Sequence, residues 1–326
     1  MEEAGPSGPP AKKARTSDII NLFDLFSETD TVEKTILFPQ KHNLLPKKVN
    51  CPKCGIIIDK IDCRAKKGSN LRLEFRCRKR TCRIEISARR NTWFDKSKLS
   101  LRKSLVLVYC FVRKFDFNTA IRETSGRFCG GEVTGTETVS DIYSYCREVC
   151  VESLYSGKDV KKIGGQNFTV EVDEAKFGKR KYNRGRLVEG QWVLGGICRE
   201  TKEAFFVAVE DRSGETLCGI IERYVKKGSI IHTDCWAGYN KLEELGYTHL
   251  TVNHSENFVD PQRGACTNTI ESTWWALKRS LPSSHTRKEN FVHHLAEEYI
   301  WRRKQTDSQC LFTAFLKDIG SVYGGQ

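Results

Sequence analysis

The stretch NFTVEVDEAKF (residues 167–177) alternates apolar and polar side chains, a pattern that is typical of a β-strand. Val170 and Val172 share one face of this strand with other apolar side chains, whereas Asp173 lies on the opposite face. Glu171 has the same parity as Asp173. The stretch therefore predicts a strand that packs on a core through one face and carries carboxylates on the other.

The segments that follow alternate between strands and helices. QWVLGGICRE (191–200) and EAFFVAVED (203–211) are apolar on both sides, which favours central strands. SGETLCGIIERYVKKG (213–228) has a helical stripe and ends at a glycine, and SIIHTD (229–234) is a short strand. A helix, a strand and a final helix containing NTIESTWW (268–275) complete the series. This order of elements is that of a ribonuclease-H-like α/β fold.

Three acidic residues stand at the edges of these elements: Asp173, Asp234 and Glu271. In a ribonuclease-H-like fold the first and fourth strands lie side by side, so Asp173 and Asp234 would meet, and Glu271 would approach on a flanking helix. Converging carboxylates repel one another unless a cation neutralises them, and oxygen ligands suit Mg²⁺ or Mn²⁺. Two such ions can activate an attacking oxygen and stabilise the leaving oxygen at a phosphodiester.

Each of these carboxylates has a simpler interpretation. Asp173 could be an exposed strand residue, and Glu171 is its nearest rival because it shares the same face. Asp234 could be a turn residue after a strand. Asn268 and Glu271 have the spacing of a helix N-cap and its reciprocal acidic partner, so Glu271 could serve only to start a helix.

Four cysteines have the spacing of a structural zinc site: Cys51, Cys54, Cys77 and Cys82. Two close pairs about 20 residues apart can direct four thiolates at one tetrahedral ion. The strand-like LRLEFRC lies between the pairs, so the segment predicts a zinc ribbon. Cys63 could substitute as a ligand, and the alternative to a zinc site is a set of buried free thiols.

The charge distribution indicates a polyanionic partner. The 326-residue chain has a net charge of +13, and residues 51–114 hold 19 Lys and Arg against 5 Asp and Glu. We expect no membrane partner, because no apolar run is long enough to span a bilayer. The metal-type and scattered cysteines indicate a reduced, intracellular protein. PPAKKAR (9–15) resembles a nuclear localisation signal, although a solvated basic tail has the same composition.

Several basic residues are candidate contacts for nucleic acid. They cluster at the second cysteine pair, in a candidate hairpin directly after Asp173 and on the face of the final helix that carries Glu271. The candidates are Arg76, Arg78, Lys79, Arg80, Lys176, Lys179, Arg180, Lys181, Arg184, Arg186 and Lys278. Solvated lysines and arginines are the alternative at each position.

Composition and pattern divide the chain into six segments. They are a disordered basic tail (1–17), short N-terminal helices (18–50), the zinc ribbon (51–95), a helical segment (96–160), the ribonuclease-H-like domain (161–305) and a C-terminal extension (306–326). The helical segment predicts three helices with a tight turn, which suits a DNA-binding helix-turn-helix-like module. A helical connector is the alternative there.

The motifs together resemble the Merlin superfamily of DDE transposases and their bacterial insertion-sequence relatives. The resemblance rests on CPKCG with its second knuckle, NTWFDKSKLSL, VEVDEAKFGKRKYNRGR, HTDCWAGY and ACTNTIESTWWALKRSLP, and it covers roughly residues 30–305. The three acidic stretches occur in the family's order, with 36 residues between Asp234 and Glu271.

This resemblance implies that Asp173, Asp234 and Glu271 form a catalytic triad that binds two Mg²⁺ or Mn²⁺ ions. Water would hydrolyse a phosphodiester at each transposon end, and the freed 3′-hydroxyl would attack target DNA. The family also implies binding of terminal inverted repeats and assembly as a homodimer or larger oligomer. The N-terminal tail with PPAKKAR is outside the family pattern, and it suits a nuclear location. Two alternatives are a host-recruited DNA-binding regulator and a ribonuclease-H-like nuclease without strand transfer.

Overall fold

The computed structural model describes residues 19–65, 71–155, 162–177, 190–253, 265–280, 301–302 and 310–324. The chain divides into two compact units, one formed by Met1–Ser153 with Gln305–Gln326 and the other by Leu154–Lys304. The C-terminal segment, expected as an extension of the second half, therefore groups with the first unit. The predicted disordered tail (1–17) lies outside the described residues.

The first unit begins with two short helices, α1 (Leu22–Ser27) and α2 (Val32–Lys41). The Asn21 side chain caps α1 by accepting hydrogen bonds from the backbone amides of Phe23 and Asp24. The Thr31 hydroxyl caps α2 in the same way. Side-chain caps satisfy amides that have no partner inside a helix, so these helices begin where the sequence supplies such a cap.

Five short strands follow: β1 (Val49–Asn50), β2 (Ile57–Ile58), β3 (Ile61–Ala65), β4 (Leu71–Arg76) and β5 (Glu85–Ser87). β1 and β2 form one antiparallel pair, and β3, β4 and β5 form an antiparallel sheet in that order. Each cysteine pair lies in the turn of a hairpin, the first between β1 and β2 and the second between β4 and β5. Sequence alternation in LRLEFRC correctly predicted the strand β4.

Helices make up the rest of the first unit: α3 (Leu101–Val112), α4 (Phe117–Thr124), α5 (Thr136–Tyr155) and, in the C-terminal segment, the helix that we number α8 (Leu311–Tyr323). α3 is buried on nearly every side. α8 packs on it through aromatic pairs, with the Phe312 and Tyr109 ring centroids 5.2 Å apart and those of Phe315 and Phe111 5.5 Å apart. The three predicted helices of the 96–160 segment are therefore present, and the C-terminal helix covers the first of them.

The second unit is a mixed five-stranded sheet with helices on both faces. Its elements are β6 (Thr169–Phe177), β7 (Gln191–Cys198), β8 (Ala204–Val209), α6 (Gly214–Tyr224), β9 (Ile230–Asp234), β10 (Thr248–Val252) and α7 (Asn268–Ser280). The strand order is β10-β9-β6-β7-β8. β6, β9 and β10 are parallel, and β7 is antiparallel to both β6 and β8. The prediction that the first and fourth strands of this half are neighbours is confirmed.

One predicted helix of the second unit is wrong. The segment between β9 and β10 contains a one-turn 3-10 helix, Ala237–Tyr239, and turns instead of an α-helix. Gly238 packs against the Trp236 indole, and Gly246 adopts a φ of +86°. The chain between these glycines is too short to recover the nucleation cost of a longer helix.

Each face of the second sheet has its own apolar core. On one face, Val170 and Val172 of β6 pack with Leu217 and Ile221 of α6. On the other face, three residues of α7 are buried against β6 and β7: Ile270, Trp274 and Leu277. This second face is the one that carries Glu171 and Asp173, so α7 lies beside the predicted acidic residues.

Glu171 is a structural residue that joins β6, β7 and α7. It is fully buried, and its carboxylate accepts a 2.5 Å ion-paired hydrogen bond from Arg199 Nε. The same carboxylate accepts hydrogen bonds from the backbone amides of Thr269 and Ile270, at 2.7 and 2.9 Å, and thereby caps α7. The rival to Asp173 thus anchors the helix that covers this face.

We expect the substitution Glu171→Gln to lower the free energy of unfolding by about 2–3 kcal/mol, because it leaves the Arg199 charge unpaired and removes an acceptor at α7. We expect a smaller loss of unfolding free energy than for a fully buried ion pair, because the Arg199 side chain is 27% exposed. Urea unfolding measures it. Glu222→Gln is the matched control: it breaks the exposed pair with Lys227 and should cost less than about 1 kcal/mol. Equal effects of the two substitutions would refute the anchoring role.

Candidate active site

Strand pairing brings two of the predicted acidic residues together. In the register of β6 and β9, Glu171 lies opposite His232, and two residues further along each strand stand Asp173 and Asp234. Carboxylate oxygens of Asp173, Glu174 and Asp234 all lie within 4.8 Å of one another. We call these three residues the acidic cluster.

The acidic cluster is electrostatically unfavourable without a cation. Burial raises the pKa of Asp173 to about 7, and the charges of Glu174 and Asp234 add to that rise. Burial also raises the pKa of Glu174, and the charge of Asp234 acts in the same direction. A divalent cation would offset both causes, because it favours the ionised form of every carboxylate that it contacts.

A tryptophan of α7 fixes the Asp173 carboxylate. Trp274 Nε1 donates a 3.0 Å hydrogen bond to Asp173 Oδ2. Gly195 of β7 lies directly opposite Asp173, and a Cβ atom at Gly195 would be only 2.5 Å from the Trp274 ring. The glycine therefore leaves the space in which the indole reaches the carboxylate.

We expect Gly195→Ala to displace Trp274 and lose the hydrogen bond to Asp173, which lowers the free energy of unfolding by about 1–3 kcal/mol. Thermal unfolding measures the loss, and tryptophan fluorescence should change with it. Gly219→Ala in α6 is the control, because nothing lies within 4 Å of its added Cβ; alanine should stabilise that helix by up to about 1 kcal/mol. A Gly195→Ala protein as stable as the wild type would contradict this packing argument.

Glu174 is a member of the acidic cluster that the sequence reasoning did not select. Its Oε1 accepts a 2.7 Å hydrogen bond from the hydroxyl of the buried Tyr239. Strict alternation assigns Glu174 to the face opposite Asp173. The pairing of β6 with β9 ends at Glu171, before both residues, and the carboxylates of Asp173 and Glu174 nevertheless approach the same point. In the sequence, only the adjacency of Glu174 to Asp173 indicated that Glu174 could belong to the site.

Glu271 is not part of the acidic cluster. It lies in the first turn of α7, one turn before Trp274, and its Oε1 accepts a 2.8 Å hydrogen bond from the Thr267 hydroxyl. The Glu271 amide donates a hydrogen bond to the Thr267 carbonyl, so Thr267, directly before the first helical residue Asn268, is in the N-cap position. Because Glu171 caps the next amides, the suggested Asn268–Glu271 capping pair does not start this helix.

The four predicted zinc ligands converge in the first unit. The Sγ atoms of Cys51 and Cys82 are 3.4 Å apart, those of Cys54 and Cys77 are 3.5 Å apart, and all four lie within 4.8 Å of one another. A tetrahedral zinc–thiolate site requires sulfur separations of about 3.8 Å, so this donor set fits Zn²⁺. Cys63 is exposed on β3 and is outside the group.

The Cys51 thiol already has an environment that favours a thiolate. Burial opposes its ionisation, but the backbone amides of Lys53 and Cys54 and the neighbouring thiols lower its pKa to about 6. Thiolates are the form that binds zinc. Backbone amides directed at a ligand sulfur in the first knuckle are therefore consistent with a metal site rather than with inert buried thiols.

The candidate DNA contacts have different environments. Arg76 is ion-paired with Glu85, and Arg78 with Asp62 at 2.9 Å, whereas Lys79 and Arg80 are exposed between the cysteines of the second pair. In the second unit, Lys176 Nζ lies 5.4 Å from the Trp192 ring centroid, and Lys278 Nζ lies 5.4 Å from that of Phe177. The remaining candidates lie outside the described residues: Lys179, Arg180, Lys181, Arg184 and Arg186.

Within the part of the chain that the structure describes, no helix combines the length and apolar character needed to cross a bilayer. The two groups of potential metal ligands found in that part are the four-cysteine group and the acidic cluster. They lie in different units of the chain.

Comparison with known proteins identifies the second unit. Residues 163–304 match the ISXO2-like transposase domain family. An uncharacterized transposase-like protein of Haemophilus influenzae is 30% identical over 109 residues, which are 33% of this chain and 87% of that protein. The family match at residues 163–304 spans β6 to α7, the elements that carry Asp173, Asp234 and Glu271. The chain therefore belongs to the DDE-type transposase family that contains the ISXO2-like domain.

Proposed function

We propose that this protein cuts DNA phosphodiesters at the ends of a transposable element and joins the freed 3′-hydroxyls to target DNA by metal-dependent transesterification. The observation that carries the proposal is the position of Asp173 and Asp234, each two residues beyond the last paired residues of two parallel strands, with their carboxylate oxygens within 4.8 Å. Membership of a transposase family supports DNA as the substrate of this site.

The sheet supports assignment of the second unit to the ribonuclease-H-like fold. In order along the chain, its strands lie 5-4-1-2-3, with the second strand antiparallel to its neighbours. The first and fourth strands are then adjacent and parallel. That arrangement brings acidic residues from distant parts of the sequence to one point, as two-metal phosphodiester chemistry requires.

The chemistry of the donor set fits Mg²⁺ or Mn²⁺. Carboxylate oxygens are the ligands that these ions prefer. Burial, together with the charges of Glu174 and Asp234, raises the pKa of Asp173 to about 7, and a bound cation would oppose that rise. We propose that Asp173, Asp234 and Glu271 hold two ions, with Glu174 as a further candidate ligand. When bound, such ions supply a nucleophile at neutral pH and stabilise the leaving oxygen of an in-line displacement.

The protein residues around the acidic cluster would orient it. Trp274 Nε1 holds one oxygen of Asp173. The backbone amide of Trp236 donates a 3.0 Å hydrogen bond to Asp234 Oδ1, and the Tyr239 hydroxyl holds Glu174. Preorganised ligands lose little entropy when they act. Glu271 would join them from α7, whose start is tied to β6 by Glu171.

For the first unit, we propose a zinc ribbon followed by a helix-turn-helix-like module that together bind terminal inverted repeats. The hairpin position of both cysteine pairs supports the ribbon. The exposed Lys79 and Arg80 support phosphate contact, because each neutralised phosphate releases counter-ions. α3 and α4 are separated by only residues 113–116, which supports the module.

The sequence resemblance extends the proposal to a Merlin-type element and a homodimer or larger assembly, and the PPAKKAR tail extends it to a nuclear location. Synapsis of two transposon ends requires at least two active sites, and this is the reason for an oligomer. These proposals share one requirement: the protein must join DNA as well as cut it.

The experiment is a strand-transfer assay with purified full-length protein. Labelled duplexes from the DNA that flanks the coding sequence are incubated with a supercoiled plasmid and Mg²⁺ or Mn²⁺. Label that enters the plasmid by a metal-dependent reaction supports the transposase. Cleavage without joining would instead indicate a nuclease, and specific binding without either reaction would indicate a DNA-binding regulator.

A further inference from the structure

An arginine beside the acidic cluster is held in an unusual environment. Arg212, which follows β8, packs against two indole rings: its Cζ is 4.3 Å from the Trp192 centroid and 4.6 Å from that of Trp236. Trp236 Nε1 also donates a 3.4 Å hydrogen bond to the Arg212 carbonyl. Three separate stretches of chain thus converge to hold one guanidinium.

This stack leaves the hydrogen-bonding edge of Arg212 available. A guanidinium is flat and packs on aromatic rings through its faces, whereas its five N–H groups point outward in its plane and can still donate hydrogen bonds. Among the described residues, the Arg212 side chain makes neither a hydrogen bond nor an ion pair. Arg199 differs, because its guanidinium is bonded to Glu171 and to the Cys266 carbonyl.

The stack is next to the acidic cluster. Trp236 is two residues after Asp234, and its backbone amide bonds to the Asp234 carboxylate. Burial raises the pKa of Glu174, and the charge of Arg212 opposes that rise. Lys176, two residues after Glu174 on β6, lies against the same Trp192 ring. Two cations therefore share one indole at the border of the acidic cluster.

A cation at this border has a specific use if DNA is cut at the acidic cluster. A phosphodiester presents two nonbridging oxygens, which match a guanidinium fork in a bidentate arrangement. We propose that Arg212, held against Trp192 and Trp236, binds a DNA phosphate that neighbours the phosphodiester cut at the acidic cluster. This inference rests on the proposed function, and it adds a substrate-binding residue to it.

The test compares the full-length wild type with Arg212→Gln and Arg212→Lys. The substrate is the flanking duplex in Mg²⁺, and the readout is the cleavage rate. Loss of a charge-assisted contact predicts a decrease on the order of 10- to 100-fold for Arg212→Gln. Arg212→Lys should be intermediate, because it keeps the charge but loses the planar fork. Thermal unfolding of both variants verifies that they remain folded.

Arg223→Gln is the matched control. Arg223 is exposed at the end of α6 and also lies over an aromatic ring, with its Cζ 5.8 Å from the Tyr224 centroid. The Arg223→Gln substitution therefore removes the same charge and a similar aromatic contact, but at a position away from the acidic cluster. Its cleavage rate should stay within about twofold of the wild type.

Methylphosphonate substitution locates the contact. Replacing one nonbridging oxygen by a methyl group at successive phosphates removes their charge one at a time. At the contacted phosphate, this change should slow the wild type but leave Arg212→Gln unaffected, since the variant has already lost the contact. Cleavage by Arg212→Gln at the wild-type rate, or equal sensitivity of both proteins at every phosphate, would overturn the inference. An inactive wild type would instead overturn the proposed function.

Discussion

Replacing Asp234 by asparagine is expected to lower metal-dependent DNA cleavage by about 10³-fold or more. Asparagine keeps the shape of the side chain but removes one charge from a cluster whose carboxylate oxygens lie within 4.8 Å. The cation then loses a charged ligand at the point where the attacking and leaving oxygens need it. Initial rates with the flanking duplex, compared at equal enzyme concentration, measure the effect.

The same substitution should not damage the fold. The charge of Asp234 raises the pKa values of Asp173 and Glu174, so its removal relieves repulsion in the metal-free protein. Thermal stability without metal should therefore be unchanged or slightly higher, and DNA binding should persist. Glu244→Gln, which removes an exposed charge of the same unit, should leave cleavage intact. An Asp234→Asn protein that cleaves as fast as this control would exclude Asp234 from the reaction.

The second large effect is expected at the cysteine group. Cys77→Ser should weaken zinc binding by more than about 100-fold, which is the upper range for changing only a supporting residue. Cys77 is buried at the turn between β4 and β5. Few apolar side chains at this turn could stabilise it if the ion were lost. Zinc content by mass spectrometry should fall from one ion per chain towards none, and the first unit should unfold at a lower temperature.

Cys63→Ser provides the control for that prediction. Cys63 lies on the adjacent strand β3 but is exposed and outside the group of four thiols. Its substitution should change neither zinc content nor melting temperature. If Cys63→Ser lowered zinc content as much as Cys77→Ser, the assignment of the four ligands would be incorrect.

The sequence predicted most of the second unit because its signals are local and periodic. Alternation in 167–177 identified β6, and the series of strands and helices implied that β6 and β9 are neighbours, which the pairing confirms. The helical stripe of Ile270, Trp274 and Leu277 likewise faces the core. The segment after β9 was misjudged because its two glycines outweigh a short apolar pattern.

The details of the acidic site depend on contacts that no local pattern encodes. Glu174 lies in the acidic cluster with Asp173, although strict alternation assigns the two residues to opposite faces of β6. The role of Glu171 required knowledge that Arg199 and the start of α7 meet at its carboxylate. Arg212 is a single arginine in a polar turn, and only the fold brings two tryptophans to its faces.

The third carboxylate ligand of the site is either Glu271 or Glu174. Glu271 is held by Thr267 one turn from Trp274, which itself contacts Asp173. The proposal requires Glu271 to share a cation with Asp173 and Asp234 when DNA is bound. Glu174 is the competing third ligand, because its oxygens already lie in the cluster.

The most direct measurement is anomalous X-ray diffraction from crystals of the full-length protein with the flanking DNA duplex and Mn²⁺. We predict manganese peaks within coordination distance of both Asp173 and Asp234, beside a phosphate of the duplex, with Glu271 completing the ligands. Manganese bound only at other residues, with none between Asp173 and Asp234, would contradict the account of this chain as a metal-dependent DNA transposase.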